Sequence, residues 1–217
     1  MIASLAHQVE HWPPEGMPHV YALPDPDLPA NQAFFDLAAR HRRILTDRFT
    51  HLVAPVPQQW LHATVQLVID PGSPTLSPHQ LDEVAAALHH HVAGRPAFTL
   101  GAAPYVGTHN PTLDLAPDEP FNQVVDLTRR ALDQVLGQKR STYQPTAAHI
   151  TTGYCHTAAD SGPVANALRA SRPSQAPVTI TRLALVMVTH DPEGPSYRWH
   201  NPPLATIDLH QERLPCA

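Results

Sequence analysis

The sequence is short of charge, of cysteine and of long apolar runs, and each shortage excludes something. Asp, Glu, Lys and Arg together make up 15% of the chain, below the usual quarter. The balance is acidic, with a formal net charge of −5, which excludes a protein that coats nucleic acid through a basic surface. A small nucleotide or an RNA end needs positive potential only locally and stays compatible. Two cysteines, Cys155 and Cys216, build no disulfide framework. Cys155 falls in an apolar run and reads as a buried thiol; Cys216 sits next to the C-terminus. No apolar run reaches 18 residues, so no membrane-spanning helix is expected. Residues 1–10 lack the basic start and long apolar stretch of a secretion signal. Together these point to a soluble cytoplasmic protein. Phosphate-binding glycine loops of the Walker or dinucleotide type are also missing.

What the chain has in plenty is proline and histidine, 25 and 16 among 217 residues. The prolines fall mostly between periodic segments and read as loop punctuation. A hydrophobic content of 42% is that of a globular domain. Residues 1–16 read as an arm. His19–Pro24 reads as a strand, and a helix from Pro29 to Phe49 follows with Phe34, Leu37, Ala38, Ile44 and Leu45 near a 3.6-residue period. Trp60–Ile69 is an apolar strand. Ser77 as N-cap and Pro78 as first helical residue open a second helix, which Gly94 ends. Short strands near 97–100 and 112–115 precede a helix from Asp118 to Gly137. Ala147–Tyr154 is a strand and Pro163–Ala170 a short helix. The last strands, 178–188 and 204–209, are joined by a Pro/Gly loop holding Tyr197 and Trp199. The expected class is α+β: residues 17–217 form one bilobed domain of two similar halves, divided near 95–110, with helices outside mixed or antiparallel sheets.

Two segments carry the chemistry: Leu61-His62-Ala63-Thr64-Val65 and Ala148-His149-Ile150-Thr151. With 16 His and 25 Ser plus Thr, a His-x-Ser/Thr pattern is expected about twice by accident, and it occurs twice, so context has to decide. Both copies lie in strands, at matching places in the two halves. Residues i and i+2 of a strand share a face. His62 therefore projects with Thr64, and His149 with Thr151, while Leu61, Ala63, Val65 and Ile150 point to the core. A phosphodiester displacement takes a proton from the attacking oxygen and gives one to the leaving oxygen, and two imidazoles supply both steps. Threonine hydroxyls donate to the non-bridging phosphate oxygens. Gly153, in the same strand register as His149, would leave room for a ligand.

These two motifs, the strand His19-Val20-Tyr21-Ala22-Leu23, and the tail with Tyr197 resemble the two-histidine (2H) phosphoesterase superfamily, relatives of bacterial 2′-5′ RNA ligases and cyclic phosphodiesterases. The likeness in layout runs from about residue 17 to 210. It implies a bilobed α+β fold with a cleft between lobes. It also implies metal-free, cofactor-free hydrolysis of 2′,3′-cyclic phosphates or 2′-5′ linkages on a nucleotide or RNA end. No Arg or Lys occurs in Gly153-Tyr154-Cys155-His156, and the low basic content points away from long RNA, toward a small cyclic nucleotide or another phosphoester. The alternative is a binding protein of the same fold that holds a nucleotide, RNA end or phosphorylated metabolite without catalysis.

Each feature has a plainer reading. The histidines can be buried structural residues, and Thr is common in strands. Tyr21, Tyr197 and Trp199 are candidates for stacking on a base, or for core packing. His7-Gln8-Val9-Glu10-His11 matches an inverted zinc-protease pattern but is followed at once by Trp12-Pro13-Pro14. His89-His90-His91 ends a helix, where successive side chains diverge by about 100° and do not share one metal. Arg40, Arg42, Arg43 and Arg48 read as a solvated helix face, and His156 as a surface histidine.

Overall fold

The computed structural model describes residues 12–108, 110–145, 147–191 and 196–210. The strands are β1 (Met17–Ala22), β2 (Val53–Pro55), β3 (Ala63–Leu67), β4 (Phe98–Val106), β5 (Pro111–Ala116), β6 (His149–Thr151), β7 (Gly153–Cys155), β8 (Ala176–Ile180), β9 (Arg182–Asp191), β10 (Ser196–Trp199) and β11 (Ala205–Asp208). The helices are α1 (Gln32–Arg48), α2 (Pro78–Val92), α3 (Asp118–Leu136) and α4 (Gly162–Ala170).

Local chemistry accounts for the helices. On α1, Phe34, Leu37, Ala38, His41 and Leu45 form one buried stripe. Ser77 caps α2 as expected, accepting from the Gln80 amide while Gln80 accepts from the Ser77 amide, with Pro78 in the first turn. Gly94, at φ +76°, follows α2. The stripe on α3 is Phe121, Val124, Val125, Thr128, Ala131, Leu132 and Leu136. No helix among the described residues is long and apolar enough to cross a membrane.

Among the described residues, eight strands run in the order β10-β9-β1-β3-β6-β5-β4-β8, all antiparallel, with β11 also on β9. This sheet curls into a half-barrel. The α+β class is thus the observed one. β2 and β7 form a separate two-stranded sheet. The main core lies between the helices and one face of the large sheet, where Val20, Ala22, Ala63, Val65, Leu100, Leu113, Ile150, Val178 and Leu185 are all buried. The other face is the wall of a groove.

The two halves of the large sheet are not consecutive pieces of the chain. One sheet half holds β10, β9, β1, β3 and β11, against α2 and α3. The other holds β6, β5, β4 and β8, against α1 and α4. Each half thus draws on both ends of the chain, because β1 pairs along its whole length with β9. The halves meet at one registered pair, Ala63 on β3 and Ile150 on β6. The 147–154 segment is not one strand: it breaks at Thr152 into β6 and β7, which belong to different sheets. Tyr197 and Trp199 lie on β10, which pairs with β9, and not in a loop. Their neighbours Pro192, Gly194 and Pro195 in the sequence conceal so short an edge strand.

Candidate active site

The seam between β3 and β6 assembles the two motifs. Ala63 and Ile150 are cross-strand partners with side chains in the core. Antiparallel register then sets His62 across from Thr151 and Thr64 across from His149, all four on the groove face. The two histidines are diagonal neighbours across the seam, about 7–8 Å apart by the spacing of such pairs.

Both imidazoles are held in the same way. His62 Nδ1 lies 2.8 Å from the Trp60 carbonyl, and His149 Nδ1 lies 2.9 Å from the Ala147 carbonyl, each two residues back in the chain. A carbonyl only accepts, so each Nδ1 carries the hydrogen. In the neutral form each Nε2 is then left with its lone pair.

The surroundings of the two rings differ. His62 is buried, with 6% exposure. Tyr21 stacks on it at 3.9 Å, and Trp199 meets it edge-on at 5.3 Å. Burial pushes the His62 pKa down to about 4, against the backbone bond to Trp60, and a charge on His149 adds to the depression. His149 is partly open to solvent. Asp114 on β5 is its cross-strand partner and shares its face. Burial raises the Asp114 pKa, while the Thr112 hydroxyl, 3.3 Å from its carboxylate, and the His149 charge act the other way. One histidine is therefore dry and kept neutral, and the other has a carboxylate beside it.

Tyr21 does not offer a ligand an open face. It is 1% exposed, with His62 on its ring, Trp199 at its edge at 5.3 Å and His19 Nδ1 2.9 Å from its hydroxyl. Trp199 is buried against His62 and Trp60. Tyr197 stacks on Trp12 at 5.2 Å and meets Tyr154 edge-on at 5.1 Å. Gly153 lies outside the groove. A Cβ there would come within 2.5 Å of Val53 Cγ1 and 3.1 Å of Leu45 Cδ1, so close packing between β7, β2 and α1 requires the glycine.

The loop before the second motif is fixed from two sides. Asp70, just after β3, accepts from the Ser141 hydroxyl and from the Thr142 amide and hydroxyl. Burial acts to raise its pKa, and these bonds outweigh it and hold the carboxyl below its ordinary value. Arg129 on α3 donates to Gln66, the Tyr143 carbonyl and Gln144. Gln66 points toward α3 because a bulge in the β1–β3 pairing breaks the alternation beyond Thr64.

Sequence reasoning missed Asp114, His19 and Tyr105. Tyr105, 48% exposed, is the cross-strand partner of Thr112, itself the partner of Thr151. The alternation of buried Leu100 and Ala102 with Gly101, Ala103 and Tyr105 was the available signal. Cys155 is buried as expected, its thiol pushed up to about 12 by burial. His156 is exposed, with Nε2 3.1 Å from the Thr50 carbonyl. His91 is partly exposed and bonds Gln134. His7, His11 and Cys216 lie outside the described residues. Among the described residues no group of three or more His, Cys, Asp or Glu side chains is placed to hold a metal ion.

In sequence, no protein family and no curated protein matches this chain. In structure, it superposes on TT0787 of Thermus thermophilus with a TM-score of 0.60 over 91% of this chain and 100% of that one, at 18% identity. Escherichia coli LigT, crystallised with 3′-AMP, gives 0.60 over 90% and 99%, at 16% identity. The chain has the LigT fold. A further structure with that fold, described as a phosphoesterase, gives 0.60 over 90% and 99%, at 17% identity. The LigT fold is also the bilobed arrangement that the two motifs led us to expect.

Proposed function

We propose that this chain is a two-histidine phosphoesterase that hydrolyses 2′,3′-cyclic phosphates or related 2′-5′ linkages on small nucleotides or RNA ends without a metal. One observation carries the reading: two His-x-Thr strands meet on one groove face, each imidazole tied through Nδ1 to a backbone carbonyl, with Nε2 left for proton transfer. The solved complexes of LigT with 3′-AMP, ATP and NADP+ agree with a small-nucleotide ligand.

In this reading Thr64 and Thr151 donate to the non-bridging oxygens of the phosphate. His62, kept neutral by burial, is the base: its Nε2 takes a proton from water as the water oxygen bonds to phosphorus. His149, beside Asp114, is the acid: in its protonated form its Nε2–H passes to the ribose oxygen as that P–O bond breaks. The unfavourable interaction of two imidazolium charges keeps one ring charged at a time. Solvent then restores both rings.

The experiment is turnover of 2′,3′-cyclic AMP with EDTA present. His62→Ala and His149→Ala should each lose about 10²–10⁴-fold in kcat, the usual worth of a positioned acid or base. Wild-type turnover in both variants would end the proposal. Tight binding of the nucleotide by the wild-type chain without product, after long incubation, would favour the binding-protein reading instead.

A further inference from the structure

A cavity of about 540 Å³ lies on the far side of His62 from the threonines, inside the range of small-molecule sites. It shares the concave sheet face with the site. Ala184, which lines it, is the cross-strand partner of Tyr21, and Leu23 follows Tyr21 by two residues. Trp60 and Trp199 form the partition. Both line the cavity, and they meet edge-to-face at 4.8 Å. On the other side Trp199 touches the His62 ring and the Trp60 carbonyl holds His62 Nδ1.

The lining selects a chemistry. Two indoles, the Phe35 ring and three prolines offer flat apolar surfaces. The amides of Gln58, Gln59 and Asn201 offer paired donors and acceptors. A lipid chain has no use for three amides. An anion would need an uncompensated cation, and the Arg182 guanidinium in the wall is already paired with Asp25 at 3.0 Å. The remaining class is an uncharged planar heterocycle with amide-like or amidine edges, of nucleoside size. We propose that this cavity is a nucleoside-binding site separate from the His-Thr groove, with Trp60 and Trp199 as the wall between the two.

The site does not depend on catalysis, since a nucleoside carries no phosphodiester. A chain that hydrolyses no cyclic phosphate still binds it, so failure of the proposed activity and failure of this site are distinct results. The probe is adenosine, read by intrinsic fluorescence, because two of the three tryptophans line the cavity. Adenosine should produce a saturable change that inorganic phosphate does not reverse. Thr206 and Asn201 line the cavity at exposed positions, where substitution is compatible with folding. Thr206→Phe, which fills the space, should weaken binding at least 10-fold, and Asn201→Ala should weaken it several-fold. His149→Ala should bind as the wild type does. The proposal is overturned by the absence of a saturable change at millimolar adenosine. It is equally overturned if Thr206→Phe binds normally, or if His149→Ala or phosphate abolishes binding, which would place adenosine in the groove.

Discussion

Lowering the pH from 7.5 to 5.0 should strip much of the stability from this protein, through three histidines buried in the neutral form. His62 and His41 are pushed down to about 4 and His19 to about 3, in each case first by burial. Their ordinary value is 6.5. Between 6.5 and 5 the unfolded chain therefore takes up three protons that the folded chain refuses. Stability is full above 6.5 and falls as the pH drops, down to the folded values near 4 and 3. One pKa unit corresponds to about 1.4 kcal/mol, so each histidine removes about 2 kcal/mol by pH 5, and the three together about 6. A domain of ordinary stability has roughly 5–15 kcal/mol in all. The carboxylates titrate mainly below this window, which isolates the histidines. The assay is urea unfolding at both pH values, followed by fluorescence and circular dichroism, with the denaturant slope compared. His41 provides the internal check. It lies in the buried stripe of α1, apart from the groove, and neither ring nitrogen has a hydrogen-bond partner in the protein. His41→Leu should shrink the loss on acidification by about 2 kcal/mol. A wild-type loss under about 1 kcal/mol, or an unchanged loss in His41→Leu, would refute the reasoning.

Asp114→Asn should lower kcat on cyclic phosphate with little effect on KM, because His149 loses the carboxylate beside it; unchanged kcat would count against a role for Asp114. Gly153→Ala should cost about 1–3 kcal/mol in thermal or urea unfolding through overpacking against Val53 and Leu45, with KM unchanged. Removing the Asp70 carboxylate in Asp70→Ala leaves the buried Ser141 hydroxyl without its acceptor, while the exposed Thr142 donors turn to water, and should cost about 1–3 kcal/mol. The same variant should also reduce turnover, since this carboxylate fixes the loop leading to His149.

What the sequence made legible was local. The His-x-Thr alternation, the Ser77 cap and the amphipathic stripes are written in neighbouring residues, and the structure reproduces them. What it concealed was pairing between distant segments. Asp114 matters because β5 sets it across from His149, which no window around residue 114 records. Gly153 was assigned to the groove by extending a two-residue alternation through Thr152, where the strand changes sheets. Tyr21 read equally as a stacking face or as packing, and only burial by His62, Trp199 and His19 decides for packing. The interleaving of the two sheet halves was concealed for the same reason: the partner of β1 is about 160 residues away.

That pairing has a consequence for synthesis. β1 leaves the ribosome before either of its partners and finds β3 first, and its other edge stays unpaired until Arg182–Asp191 emerge. At roughly 5–20 residues per second the delay is about 8–32 s. During it His19 and Tyr21 lack β9 beside them and the strand presents open backbone groups, the usual template for misassociation. The aromatic nest behind His62 is completed only when β10 brings Trp199, which follows His149 by 50 residues. A nascent chain can thus hold both motifs and still lack the dry pocket that keeps His62 neutral, so the pocket is complete only after β10 has been made.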